Sequence, residues 1–520
     1  MGLAAVIMGV SVLLSRFTGL IRDKVISYLF GATRESDLYF AAFVIPDFIN
    51  YLLAGAYFSI TLIPLLALYF GSQEEEGWKF FSSAVNWIGA CIIVLTLVAM
   101  AFAKPLARIA APGLPPEDLV RLAYFLRIVM PAQVCFLIGS CFTAILYLRR
   151  QFLVPALIPI VYNGLIILGG VLLRHTGMEG FCWGVLAGAL VGNLLLPVLA
   201  VKFGGGLKWR PAFTHPGLKR LFILALPLMI GQSIVVLDEQ LVRIFGSLVG
   251  EGAVSWLNYA RRIMLVPVGV VAQAAGVASY PFLAQLIAQQ DFQKFHATLN
   301  RALEGVLFLL IPMSVWMIIV ARPTITLIFQ QGQFGVEDTL ATTRLLQISL
   351  VMVFCWGIQQ IVGRAFYARQ DTLTPAVIGT LITIVCIPLF YLLTVHLGAM
   401  GVALASAASI FLYTLVLSFW WSHKFGLDAF RGLGATVGKV SAVTVLSAAP
   451  AVSVSGIHLF DPALSPYLAS LWQLAATGLV FATVFLLFSL RWIPHLVEPV
   501  LGKLGPPGRW LLGRSRPRSP

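Results

Sequence analysis

The sequence predicts an all-α polytopic membrane protein with about 14 transmembrane helices. They form two six-helix lobes related by a pseudo-two-fold repeat, plus two further C-terminal helices. Three observations carry this prediction. Apolar residues fill 59% of 520 positions and charged residues only 11%, with a mean hydropathy of +0.92; a soluble chain of this length would hold about 25% charged residues. Apolar windows of about twenty residues, the length that crosses a bilayer core, recur from end to end. Blocks of sequence also repeat at an offset of about 220 residues.

The spans fall near 4–30, 37–70, 80–103, 119–148, 153–173, 180–201, 218–247, 252–286, 296–320, 338–367, 374–395, 400–421, 434–456 and 467–490. The first carries Ser15, Arg16, Thr18, Gly19, Arg22 and Asp23 on one face about 160° wide, with Leu14, Phe17, Leu20, Ile21 and Val25 opposite. An arginine at the centre of a membrane helix costs about 2.5–3.5 kcal/mol, so such groups survive where they line a wet cavity or pair inside the bundle. A solvated working face and a structural Arg16–Asp23 pair are both open readings. The second span opens on Asp37 and contains Pro46 and Pro64. In the fourth, Arg121 lies near a span end and is expected to snorkel to the interface, as is Arg344 in the tenth. Arg127 and Arg364 lie deeper, without an acidic partner identifiable in sequence. The seventh span carries Asp238, Glu239 and Arg243, and the eighth Arg261 and Arg262. Spans thirteen and fourteen lack charge within the membrane apart from Lys439 near one end. Their small residues, such as Ala475, Ala476 and Gly478, suit packing on a lobe or a lipid tail.

Alternate loops are basic. One holds Arg149 and Arg150; the 202–220 loop holds Lys202, Lys208, Arg210, Lys219 and Arg220. The tail from Arg491 adds Lys503, Arg509, Arg514, Arg516 and Arg518. This asymmetry predicts that both termini are cytoplasmic. It also accounts for the net charge of +14 without nucleic acid. Met1-Gly2-Leu3-Ala4 runs straight into a span longer than a signal-peptide core, so no cleavable signal is expected. The six cysteines lie in apolar segments without a CxxC spacing and read as small buried hydrophobes.

Three blocks define the repeat. Tyr147-Leu148-Arg149 with Leu153 and Pro155-Ala156 matches Tyr367-Ala368-Arg369 with Leu373 and Pro375-Ala376. His175, Gly177 and Gly180 match His396, Gly398 and Gly401, and Pro64 with Ala67 matches Pro281 with Ala284. An offset of six helices preserves orientation, so the halves are parallel repeats, an arrangement common in transporters with a substrate path between the lobes. The predicted division is 1–203 and 216–424 for the lobes, 433–490 for the extra spans, and 491–520 for a basic cytoplasmic tail. Nucleotide-binding, zinc-protease and serine-hydrolase signatures are absent, as is an aspartate-rich diphosphate–metal motif. No outside loop is long enough to fold as an extracytoplasmic glycosyltransferase domain, so an enzyme is not expected.

Several of these motifs resemble the MurJ/MviN flippases. They are Ser15-Arg16-Phe17-Thr18-Gly19-Leu20-Ile21-Arg22-Asp23, Phe30-Gly31-Ala32, Ser36-Asp37, and Ala56-Tyr57-Phe58-Ser59 with Pro64. Further along stand Ser255-Trp256 through Ala260-Arg261-Arg262, Phe329 to Gly332-Gln333-Phe334, and Phe366-Tyr367 through Arg369-Gln370-Asp371 with Thr374-Pro375. The resemblance spans all fourteen helices. It implies the multidrug/oligosaccharidyl-lipid/polysaccharide exporter superfamily, and a substrate class of polyprenyl-diphosphate-linked sugars, with lipid II first. It also implies that Ser15, Arg16, Arg22, Asp23, Asp37 and Arg262 serve a central substrate cavity, with Arg261 adding a charge beside them. Asp238 resembles an acidic residue at a sodium site, and Asp371 is a second candidate cation ligand. The chain departs from the pattern at Asn50 and Tyr51, where many relatives carry a basic pair, and at Val44, Gly55 and Arg261. Another polyprenyl-diphosphate glycan and a multidrug/cation antiporter are therefore alternative readings, the arginine excess weighing against the antiporter.

Arginine in a desolvated cavity binds diphosphate oxygens bidentately. Direction needs an energy source: Na+ or H+ at an acidic residue, or the membrane potential, worth about 2.3 kcal/mol per charge per 100 mV. The expected partners are the lipid-linked sugar, the bilayer of the bacterial inner membrane and cell-wall synthesis proteins. The expected oligomeric state is a monomer.

Overall fold

Helices account for every regular element among the described residues; no strand is present there. The computed structural model of the chain describes residues 2–53, 55–204, 207–210, 212–231, 233–457, 459–460 and 465–502. Lys503, Arg509, Arg514, Arg516 and Arg518 of the basic tail lie outside the described residues. Nine of the described helices are long and apolar enough to cross a membrane, and ten if Val336–Leu350 and Val353–Ala368, bent by 44°, form one broken span. The 53-residue Leu373–Phe425 helix is two spans joined at Gly398, where φ is 59° and ψ −136°. Counting its two arms, and adding Gly2–Phe30, the helices between Arg34 and Ser72 and those between Pro216 and Gly246, gives fourteen spans among the described residues. The chain is an all-α polytopic membrane protein.

Broken spans have local causes. The second is broken by a turn at Ala42–Phe43, just ahead of Pro46, between the Arg34–Ala41 and Val44–Leu53 helices. In the eighth, Pro267 lacks the N–H that an α-helix needs, and the backbone continues as a π-helical stretch over Val268–Gln273.

The internal repeat is written in the backbone. After Tyr147-Leu148-Arg149 the helix ends at Arg150 with φ 57°, where Arg150 N donates to Tyr147 O at 3.0 Å and Gln151 N to Leu146 O at 2.8 Å. After Tyr367-Ala368-Arg369 it ends at Gln370 with φ 60°, where Gln370 N donates to Tyr367 O at 2.9 Å and Asp371 N to Phe366 O at 3.0 Å. Each is a Schellman cap. The arginine before each cap lies over an aromatic ring, Arg149 5.5 Å from Trp78 and Arg369 5.4 Å from Phe295. The offset relating Pro64 to Pro281 also relates those two rings. The second repeat block turns on Gly177 and Gly398, with φ of 74° and 59° and ψ of −147° and −136°, a region of backbone space that side chains other than glycine's rarely enter.

Two compact units are present. One comprises 1–258, 331–335 and 390–402; the other comprises 259–330, 336–389 and 403–520. The first is cored by aromatic rings between spans two, three and four, with Trp78, Phe80 and Phe81 fully buried and Phe81 edge-on to Phe142 at 5.1 Å. Its acidic run pairs with its basic loop. Lys208 reaches Glu74 at 3.2 Å, Arg210 reaches Glu75 at 2.7 Å, and His215 reaches Glu76 at 3.4 Å. In the second unit, Leu433–Ser455 and Pro466–Trp492 pack on each other and on Phe292–Ile319, with Phe308 5.4 Å from Phe485 and Gly478 facing Trp316. All six cysteines are free and five are buried, Cys91 being exposed.

Candidate substrate and ion site

The polar face of the first span begins the site. Within the Gly2–Phe30 helix, Phe17 is 61% exposed and Leu14 44%, whereas Gly19 and Asp23 are buried. Asp23 Oδ1 accepts Arg22 Nε at 3.0 Å and Nη2 at 2.8 Å. The remaining guanidinium nitrogen, Nη1, donates to Asn163 Oδ1 at 3.2 Å. The Asn163 amide nitrogen in turn donates to Pro159 O at 2.9 Å and to Thr18 Oγ1 at 3.5 Å. Arg22 therefore keeps its charge inside the membrane because one carboxylate and one amide solvate it in water's place. Ser15 is half-buried on this face and its carbonyl accepts Thr18 Oγ1; Arg16 is exposed.

A second charged cluster follows in the same unit. Arg243 donates Nη1 to Asp47 Oδ2 at 2.8 Å and Nη2 to Glu239 Oε1 at 2.5 Å, tying span seven to span two. Asp238, 4% exposed, lies one residue from Glu239.

Asp37 is a tertiary cap. Its Oδ2 accepts Gly252 N at 2.6 Å, and its Oδ1 accepts both Ser255 N at 2.8 Å and Ser255 Oγ at 2.6 Å, at the start of the Ala253–Pro267 helix. A carboxylate there satisfies backbone donors that the helix itself leaves open. Glu251 Oε1 reciprocates by accepting Arg34 N at 3.0 Å. Arg261 and Arg262 stand in the second unit, Arg261 buried and Arg262 half-buried. Asp371, also there, accepts Lys424 Nζ at 2.6 Å, Thr374 Oγ1 at 2.8 Å and Thr374 N at 3.0 Å. Burial alone would raise its pKa, but these donors outweigh it and hold the carboxyl below the usual range.

Asn163 and Asp47 escaped the sequence reading. The signal for Asn163 was a lone amide in the apolar fifth span, after Tyr162; for Asp47 it was a second carboxylate, after Pro46, in the span that opens on Asp37. Arg121 pairs with Glu35 at 3.2 Å and Glu179 at 3.3 Å and lies 4.7 Å from the Phe125 ring. Arg127 finds a backbone acceptor, Met100 O, at 3.3 Å. Among the described residues no group of three or more His, Cys, Asp or Glu could hold a metal ion.

The sequence profile described as "Lipid II flippase MurJ" matches residues 26–469. The chain belongs to that family. Its motif residues act within the fold: Gln333 N donates to Tyr28 O at 3.0 Å, and a side chain at Gly332, where φ is 57°, would strike that carbonyl. Among relatives, the probable lipid II flippase MurJ of Rhizobium meliloti is 27% identical over 491 residues, covering 92% of this chain and 90% of the relative. That of Buchnera aphidicola subsp. Acyrthosiphon pisum is 29% identical over 371 residues, covering 70% and 72%. The solved structure "Lipid II flippase MurJ, inward closed conformation" shares the family fold with a TM-score of 0.78 at 24% identity, over 95% of this chain and all of that one. An inward-facing multidrug resistance MATE family transporter of the MOP superfamily matches at 0.69 and 14% identity, over 82% of this chain and 98% of that one; it is similar in fold alone.

Proposed function

We propose that this protein flips lipid II, the undecaprenyl-diphosphate peptidoglycan precursor, from the inner to the outer leaflet by alternating access. The family match over residues 26–469 carries the reading. The physical demand is to move a sugar diphosphate across about 30 Å of hydrocarbon while its tail stays in lipid. Arg22, held by Asp23 and Asn163 with its side chain 18% exposed, offers a pre-positioned cation to the diphosphate. Ser15, Arg16 and Asp23 share its helix face, and Arg261 and Arg262 supply further charge. Asp37 orders the helix that carries them.

Both termini are cytoplasmic in this reading, and the lobes are 1–203 and 216–424, with 433–490 appended and 491–520 a cytoplasmic tail. Asp238 is the coupling cation's ligand, and the membrane potential is the other energy source. Asp371 is carried as a structural group, because its carboxylate already holds Lys424 and Thr374. The protein works as a monomer in the bacterial inner membrane, delivering substrate to cell-wall synthesis proteins, and performs no catalysis. Asn50 and Tyr51, standing where many relatives have a basic pair, favour a second reading: a different polyprenyl-diphosphate glycan. Complementation decides between them. The wild-type chain should restore growth to cells depleted of their lipid II flippase, and Arg22→Ala should not, at equal membrane levels. Failure of a well-inserted wild-type chain would favour the second reading.

A further inference from the structure

An apolar groove opens in the first unit, away from the Arg22 and Asp23 face. Its volume is about 670 Å³, within the ~300–1,000 Å³ of small-molecule sites. Fourteen of its fifteen lining side chains are apolar, among them Phe48, Val98, Phe102, Ile109 and Leu241. Gln240 is the exception, and its Oε1 is turned to Arg243 Nη1 at 3.4 Å.

Its depth in the membrane follows from the helices that build it. The Glu74–Ala101 helix begins at the Glu74–Glu76 run that pairs with the 202–220 loop, and the groove takes its far end, from Leu95 onward. The groove therefore lies toward the membrane face opposite that loop. Phe102 and Ile109 are 60% and 59% exposed there. Water gains nothing from such a surface, whereas the hydrocarbon chains around it do.

The rim adds a charge signature. The short Ala103–Ala110 helix gives Pro105, Leu106 and Ile109 to the groove and carries Lys104 and Arg108, both exposed and one helical turn apart. Neither makes an ion pair with a described residue. Two cations on one face, at the end of a span and beside a slot for a hydrocarbon chain, fit an anionic phosphate with a tail attached.

We infer that this groove binds an anionic phospholipid of that leaflet, its acyl chain along Phe48, Val98 and Leu241 and its phosphate on Lys104 and Arg108. Mass action selects phospholipid over a polyprenyl carrier, because phospholipid is the bulk component of the leaflet. A lipid seated there packs spans two, three and seven together beside the Asp47–Arg243 pair.

The test uses the full chain in nanodiscs of phosphatidylglycerol and phosphatidylethanolamine. A phosphatidylglycerol with a photoreactive acyl chain should label Phe48, Val98, Phe102 or Leu241, and native mass spectrometry should show phosphatidylglycerol retained over phosphatidylethanolamine. Lys104→Gln with Arg108→Gln, both on the surface, should erase that preference by about tenfold while leaving thermal stability unchanged. Val98→Trp, which fills the groove from an exposed position, should abolish the label. Equal retention of the two lipids by the wild type, label confined to other helices, or displacement of the label by equimolar polyprenyl phosphate would each overturn the inference.

Discussion

Arg22 meets Asp23 with two nitrogens and Asn163 with the third. This geometry sets different expectations for each partner. Arg22→Lys keeps a charge but cannot span both acceptors; one lost charge-assisted hydrogen bond, about 1.5–3 kcal/mol, lowers transport by about tenfold or more in a flipping assay. Asn163→Leu leaves Nη1 without its acceptor and should lower both transport and the melting temperature. If Asn163→Leu matched the wild type in both, the network would have no role. The sequence made Arg22 and Asp23 legible, since charge in an apolar span is costly wherever it stands. Asn163 was illegible, because one neutral amide in a span carries almost no penalty signal until its partner is seen. Asp37 was legible as a site residue but not as a helix cap, since Gly252 and Ser255 are more than two hundred residues away.

At the scale of elements, the two Schellman caps and their ring-stacked arginines give the repeat its structural content. Gln370 is exposed at positive φ. Gln370→Gly removes about 1–2 kcal/mol of backbone strain, less the ~0.5–1 kcal/mol of extra glycine entropy, and should raise the melting temperature slightly. Gly401→Ala should do the reverse, because its methyl would crowd Leu393 O; a loss of about 1–3 kcal/mol is expected, read as a lower melting temperature. The loop that starts at Gln370 also responds to pH. The Asp371 carboxyl is held below its ordinary value by Lys424 and Thr374. Its contribution is therefore complete above the unfolded value of about 3.9 and is lost as pH falls through the lower folded value. Asp371→Asn should flatten that acid limb of the melting curve, and an unchanged limb would show the pair contributes nothing. Blocks of matching letters revealed the repeat, but its caps were hidden, since Arg150 and Gln370 are not residues that advertise a left-handed turn.

For the whole molecule, hydropathy alone marked the fourteen spans, because a bilayer punishes exposed backbone and charge uniformly along the chain. It could not mark the break inside span two, which divides at Ala42–Phe43 with no gap in apolar character. The turn at Gly398, by contrast, falls in the 396–399 interval between spans eleven and twelve. The division into units was equally hidden: 331–335 and 390–402 join the first unit from distant points in the sequence. Function at this scale is directional movement of one lipid-linked diphosphate sugar, so movement of that lipid is what must be measured. Cells depleted of their own lipid II flippase and carrying this chain are exposed to an impermeant probe that modifies lipid II only on the outer face. Lipid II should become modified with the wild-type chain, and should stay protected with Arg22→Ala at the same membrane level. Lipid II that remains protected in cells holding the inserted wild-type chain would contradict the account.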